Sequence, residues 1–447
     1  MLKTTRLAIG LLAATLGLAL GCNNEKAPKP PEPLSSVHPA EKPTSPAVPP
    51  SVGTSRSVSS DASAYDQITE ILTEHDVFTR VRKLTELLPQ LGPEAVEDVK
   101  QLLELQHYNL AGAENVLLTR FWALHDPEEA TTWAVYRSRE GFRLSVTLIA
   151  MEAWASKDPL AAGQFVSSLM SNPMMDTVAV EYGLISGWFQ SEVPGLETYI
   201  RALGVGNMRQ RALRSLTRLT IEEYGPDAAI NWAVSLPEDE GKFKLAAYRQ
   251  LGKELGSTHP AAAVTFCAAH CSSEFGAGVR ELIAQLWANR DGPAAMAWVR
   301  DTPTETPRQK MLAVKSAFRG FERTDKASLY AWMDSMGPEG VEPWLQPALE
   351  MLGVHVGRKD PQRGLEWAHA IVNEKDRTRT MTTIAISWRK KDPESADAWL
   401  ATSPLPEVNR ERVRLYGQKG TPRENRDRIK AAMAEGTSGE EAGEEAM

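Results

Sequence analysis

Large apolar residues recur along this chain at a fixed distance from a repeated helix-opening signal. Asp126-Pro127, Asp158-Pro159, Asp360-Pro361 and Asp392-Pro393 carry the signal in full, and Val193-Pro194, Gly225-Pro226, His259-Pro260, Gly292-Pro293 and Asp325-Lys326 are weaker copies. Successive steps from Pro127 are 32, 35, 32, 34, 33, 33, 35 and 32 residues, and one step back lands on Gly92-Pro93. An Asp carboxylate accepts orphan N–H groups at a helix start. Pro suits the first helical position, where its missing N–H would be unpaired anyway. Six residues after the Pro site stand Trp133, Phe165, Ile200, Trp232, Phe266, Trp332, Trp367 and Trp399, with Trp298 one early. Three residues after it a small residue recurs: Ala130, Ala162, Ala229, Ala263, Gly364 and Ala396. That spacing puts the small and large residues on one helix face.

The pattern predicts a first helix from each Pro site to a Pro or Gly cluster, as at Leu236-Pro237 or Thr302-Pro303. A second, longer helix then runs to an apolar residue five or six before the next site, for example Arg143 to Trp154. That second slot holds Trp122, Trp154, Trp188, Trp287 and Trp388, so the two slots contain all the tryptophans except Trp344. A hairpin of this size cannot bury its apolar face alone, so stacking on its neighbours has to supply the core. The fold expected is all-α: a right-handed α-solenoid of about ten helix-turn-helix repeats of 32–35 residues over residues 63–420. Tyr65 to Leu91 reads as an atypical first unit, and residues 421–447 as a polar helix followed by an acidic, disordered tail. In period, helix-turn-helix form and small-plus-aromatic spacing the array resembles the tetratricopeptide-repeat superfamily. It lacks that family's Leu-Gly pair, and Trp stands where Tyr or Phe is usual. The resemblance implies a protein- or peptide-binding surface.

The first 62 residues follow a different rule. Lys3 and Arg6 precede an apolar run, Leu7 to Leu20, that is shorter than the ~20 residues of a membrane span. It reads as an export signal, residues 1–21. Leu18-Ala19-Leu20-Gly21-Cys22 resembles the lipobox of bacterial lipoproteins, with Ala19 and Leu20 in swapped order. The resemblance implies cleavage before Cys22, acylation of Cys22, and attachment to a membrane of the cell envelope, facing the periplasm. Asn23 stands where the inner-membrane retention signal has Asp, which favours the outer membrane. Residues 22–62, rich in Pro and Ser, read as an extended, disordered tether.

Composition narrows the function. The 447 residues carry a formal net charge of -8, which disfavours a general nucleic-acid binder and, with export, disfavours the RNA-binding pentatricopeptide repeats of similar period. Three cysteines are too few for a disulfide framework. Cys267 and Cys271, four apart on one helix, read as buried small hydrophobes in preference to a metal or redox pair. A basic residue recurs sixteen before the Pro site, as Arg143, Lys244, Lys310 and Arg377, with Arg211 one later. Stacked repeats would align these five into a ladder able to grip carboxylates of a partner; the alternatives are a solvated face or pairing within the array. Arg211, Arg214 and Arg218 also share a helix face, which read alone is solvated surface. No HExxH, GxSxG, phosphate loop or CxxC is present, so no catalytic residue, metal ligand or cofactor is assigned. The expected function is a membrane-anchored scaffold that binds protein or peptide partners. The alternatives are an α/α-toroid enzyme acting on an envelope polysaccharide, and a purely structural spacer.

Overall fold

The structure, a computed structural model, describes residues 63–105, 110–170, 177–304 and 306–416, together with Glu424 and Asp427. The predicted signal, Cys22 and the tether lie outside the described residues. Of the predicted tail helix only Glu424 and Asp427 are described, both helical. The described residues are all-α, without a strand. They fall into two units that divide after Leu196.

The first unit contains α1 (Ala64–Leu72), α2 (Val77–Leu87), α3 (Val96–Leu105), α4 (Gly112–His125), α5 (Pro127–Tyr136), α6 (Glu140–Lys157), α7 (Pro159–Met170) and α8 (Val178–Ser191). From α3 onward, first helices (α3, α5, α7) alternate with second helices (α4, α6, α8). The second helices α4 and α6 each pack on their own first helix, on the first helix that follows and on the next second helix, and α8 packs on α7 and α6. The core runs through these contacts, from Ile68 and Leu84 by way of Leu102, Leu118 and Trp122 to Trp133 and Val146. Gly183 and Gly187 of α8 let it lie against α6: a Cβ at Gly187 would stand 2.2 Å from the Glu152 carbonyl oxygen.

The second unit continues with α9 (Leu196–Ala202), α10 (Asn207–Tyr224), α11 (Pro226–Ser235), α12 (Gly241–Thr258), α13 (Pro260–His270), α14 (Val279–Ala288), α15 (Gly292–Asp301), α16 (Pro307–Thr324), α17 (Lys326–Met336), α18 (Gln346–Gly357), α19 (Pro361–His369), α20 (Glu374–Arg389), α21 (Pro393–Thr402) and α22 (Glu407–Leu415). First and second helices alternate here too, and successive second helices from α10 to α22 pack on one another. Two apolar clusters fill this unit, one around Tyr248, Phe266 and Val279, the other from Ala284 to Val413.

The Asp that opens a first helix also closes the second helix before it. Asp126, Asp158, Asp291, Asp325, Asp360 and Asp392 each accept, on the side chain, an N–H three residues on, at 3.0–3.2 Å. Each donates its own N–H to the carbonyl four residues back, at 2.8–3.0 Å. The joint is this one residue at Asp126, Asp158 and Asp325, and the last of three residues at Asp291, Asp360 and Asp392, with φ between −127° and −143° and ψ between 70° and 94° throughout. The two Trp slots meet across this joint. Trp122 and Trp133 stand 5.4 Å apart, Trp154 and Phe165 5.2 Å, Trp287 and Trp298 5.7 Å, and Trp388 and Trp399 6.1 Å. The anomalous position of Trp298 is resolved here. In α15 the cap is Asp291 and Pro293 is the second helical residue, so Trp298 stands seven after its cap, as Trp133 does after Asp126. The Gly292-Pro293 reading of the sequence was one residue out of register.

The caps carry a pH dependence. The hydroxyl and N–H of Ser328 hold the Asp325 carboxyl below the usual carboxylate range, and Ser395 does the same for Asp392. A depressed folded-state pKa stabilises the fold at pH above the unfolded value of about 3.9, and the contribution is lost as pH falls through the folded value. An Asn cap does not titrate. The variant carrying Asp325→Asn and Asp392→Asn is expected to lose less of its denaturant midpoint between pH 5 and pH 3 than the parent, measured by circular dichroism; parallel curves would show that these caps do not contribute.

Candidate functional site

Four of the five basic residues singled out in the sequence bond the carbonyls at helix ends. Arg143, early in α6, directs Nε and Nη2 to the Ser138 carbonyl just past α5, at 3.2 and 2.9 Å. Lys244 of α12 reaches the Val234 and Leu236 carbonyls at the end of α11, at 3.0 and 2.7 Å. Lys310 of α16 holds the carbonyls of Arg300 at 2.7 Å and Thr302 at 3.0 Å, and also that of Val299. Arg377 of α20 donates to Ile371, past α19, at 2.9 Å. In the α9–α10 pair the role falls to Arg209, which reaches the Arg201 carbonyl at 2.9 Å and that of Leu203. Arg211, the residue singled out there, is half-buried on the same helix. Arg80 in α2 does the same for α1, at the Glu74 carbonyl, 2.6 Å away.

The physical reason is general. The last carbonyls of a helix lack intrahelical partners and carry the negative end of its dipole. A cation in the first two turns of the returning helix is placed to satisfy them. A second set acts between hairpins. Lys157, Arg290 and Lys391, each just before a joint Asp, donate to the carbonyls of Leu124, Ser257 and Arg358 at the end of the preceding second helix. The periodicity of basic residues was legible in the sequence; their carbonyl partners were not, because backbone acceptors leave no residue signature.

Ion pairs also bridge successive second helices. In the first unit the buried Glu152 carboxylate lies 3.8 Å from Arg120 and accepts from Ser186 at 3.0 Å. In the second unit Glu350 lies between Lys315 at 3.2 Å and Arg379 at 2.7 Å, and Glu322 meets Tyr330 and His355, each at 2.6 Å. These polar groups tie neighbouring helices together.

Cys267 and Cys271 are buried as expected but are joined in a disulfide, which corrects the reading of them as separate small hydrophobes. The pair sits at the end of α13, where Cys271 caps the helix and its N–H bonds the Cys267 carbonyl. Their Cα atoms are 4.6 Å apart, within bonding reach. A link across four positions closes a very short loop, so its entropic effect on the unfolded chain is small. Its effect is local: it pins the turn into the loop that carries His270, Ser273 and Phe275. Gly276 seals that loop, because a Cβ there would stand 2.0 Å from the His270 carbonyl oxygen.

Beside this loop opens a cleft of about 690 Å3. One wall is the α11–α12 hairpin, with Glu238, Asp239, Lys244 and Tyr248; the other is the α13–α14 loop, with His270, Glu274 and Phe275. Tyr248 packs at 5.3 Å from Phe266 and 6.1 Å from Phe275. Lys244 Nζ lies 5.1 Å from the centre of the Phe275 ring. Of these residues only Lys244 had been singled out in the sequence. The acidic run Glu238-Asp239-Glu240 was the signal available for the rest. A smaller cavity of about 200 Å3, lined in part by Trp133, Ser138 and Phe142, occupies the first unit. Among the described residues there is no cluster of His, Cys, Asp or Glu able to hold a metal, and no helix long and apolar enough to cross a membrane. No protein-family profile, no curated protein and no solved structure matches this chain.

Two measurements check this description. Lys244→Met strands two carbonyls at a buried helix end and is expected to cost about 1–3 kcal/mol in denaturant unfolding. The exposed neighbour change Lys242→Met serves as control and should stay within about 0.5 kcal/mol; equal effects would remove the capping role. For the disulfide, the unreduced full chain unfolded in guanidinium should present at most the Cys22 thiol to a thiol reagent, with two more appearing after reduction. Three thiols before reduction would contradict the link.

Proposed function

We propose that this protein is a lipid-anchored scaffold of the bacterial cell envelope that binds protein or peptide partners along stacked helical hairpins. The observation that carries this reading is the packing in each unit, where every second helix contacts the second helix of the next hairpin. Arrays stacked in this way offer extended surfaces to extended chain segments. In this reading each unit is a stretch of right-handed, tetratricopeptide-like α-solenoid, with about ten repeats in all. Cys22 carries the acyl chains after removal of residues 1–21, residues 22–62 tether the folded part to the membrane, and the outer membrane is favoured. The Cys267–Cys271 disulfide supports export, because such links persist in oxidising compartments.

A second reading, a structural spacer, draws support from the capping role of Arg143, Lys244, Lys310 and Arg377, which commits their charges within the hairpins. One experiment separates the two and tests the anchor. The full chain, bearing a photo-crosslinking amino acid at Ser273 on the exposed loop edge, is expressed in the envelope with labelled palmitate. The scaffold reading expects label on the parent, none on Cys22→Ser, and one discrete crosslinked partner. Label without any adduct, from Ser273 or from other exposed loop-edge positions, favours the spacer. Equal labelling of parent and Cys22→Ser removes the anchor.

A further inference from the structure

Within the second unit Glu350 is paired with both Lys315 and Arg379, whereas the carboxylates of the cleft between the α11–α12 hairpin and the α13–α14 loop are not so served. Glu240 pairs with Arg201. Its neighbours Glu238 and Asp239, and Glu274 on the opposite wall, form no ion pair among the described residues, although all three line the cleft. The one lysine there, Lys244, already gives hydrogen bonds to two backbone carbonyls and lies over Phe275. The lining is therefore short of positive charge.

A second, independent observation points the same way. Tyr248 is 3 % exposed, yet its hydroxyl, on the cleft wall, has no hydrogen-bond partner among the described residues. That hydroxyl is not among the enclosed polar atoms, so an acceptor entering the cleft can reach it. Burial, and then the Glu238 charge, push the phenol above its ordinary range, so it stands as an O–H donor facing the cleft. The ring of Phe275 forms part of the same wall.

We propose that this cleft receives an arginine or lysine side chain from an extended segment of a protein partner. The cationic head would meet Glu238, Asp239 and Glu274 in charge-assisted hydrogen bonds and lie against the Phe275 ring. The segment's own main-chain carbonyl would accept the Tyr248 hydroxyl proton in a hydrogen bond. The inference rests on the scaffold reading for the nature of the partner, but its test does not need that partner. The disulfide has a part in it: by pinning the end of α13 it holds one wall of the cleft in place.

The test uses the full chain in detergent and fluorescent peptides of sequence Gly-Gly-Ser-X-Ser-Gly-Gly, blocked at both ends, with X as arginine, citrulline or glutamate. Citrulline keeps the shape of arginine without its charge. Fluorescence anisotropy should show the arginine peptide binding at least tenfold more tightly than the citrulline peptide, with an affinity that falls as salt rises. Binding of the glutamate peptide should be undetectable. The variant Glu238→Gln, Asp239→Asn, Glu274→Gln changes only exposed carboxylates, and a thermal melt checks that it folds. It should erase the preference for arginine. Tyr248→Phe should weaken the arginine and citrulline peptides alike, severalfold, because it removes a contact to the main chain. Equal affinity for arginine and citrulline, or an arginine preference that survives the triple variant, overturns the inference. A crosslinked partner still captured by the triple variant would sink the cleft and leave the scaffold standing; a cleft that binds the arginine peptide in a chain that captures no partner would do the reverse.

Discussion

Everything in this fold hangs on a joint of one to three residues that ends in an aspartate. At Asp126, Asp158, Asp291, Asp325, Asp360 and Asp392 the backbone N–H finishes one helix while the side chain starts the next. So short a linker, bonded to the helix on either side, leaves little freedom in how the following first helix departs. The aromatic pairs above several of these joints, Trp122 with Trp133 and Trp388 with Trp399 among them, fill the corner. Four residues after these caps, except at Asp325 where Leu329 stands, a small residue such as Ala130 or Ala396 is buried and lets the neighbouring helix come close. At Gly364 the approach is tightest, because a Cβ there would stand 2.5 Å from the Gly357 Cα. Joint, aromatic pair and small residue therefore act as one device, repeated.

The opposite end of each hairpin is looser and is held by charge. There the first helix ends with carbonyls exposed, and a cation on the returning helix takes them up, as Lys244 and Lys310 do. Burial and the nearby Arg280 guanidinium draw the Lys310 ammonium below the usual lysine range. The loops on this edge vary in length and sequence from one hairpin to the next. One of them is stiffened by the Cys267–Cys271 link, and beside it lies the cleft that carries unpaired carboxylates. A regular joint edge and a variable loop edge divide the labour: one sets the stacking, the other presents chemistry.

The two edges were not equally legible in the sequence. The joint could be read because its parts are residue types: Asp before Pro, a small residue, an indole at a fixed offset. Where Asp291 is followed by Gly292 before Pro293, following the Pro instead of the cap cost one residue of register. The recurring cations were visible as a period, yet their partners are main-chain oxygens, which every residue owns, so a capping role could not be told from a binding ladder. The disulfide was hidden for a related reason, since two cysteines four apart on a helix look alike whether bonded or free. Tyr248, Glu238 and Glu274 come from three different segments, and only folding brings them to one cleft.

The most direct measurement of the shared joint is hydrogen exchange resolved at single amides in the native full chain. The amides of Asp126, Asp158, Asp291, Asp325, Asp360 and Asp392 should exchange as slowly as those inside the adjoining second helices, and far more slowly than Gly204 and Val205 in the α9–α10 turn. Exchange at those six aspartates as fast as in that turn would mean that successive hairpins are linked by open chain, and the shared aspartate joint would have to be abandoned.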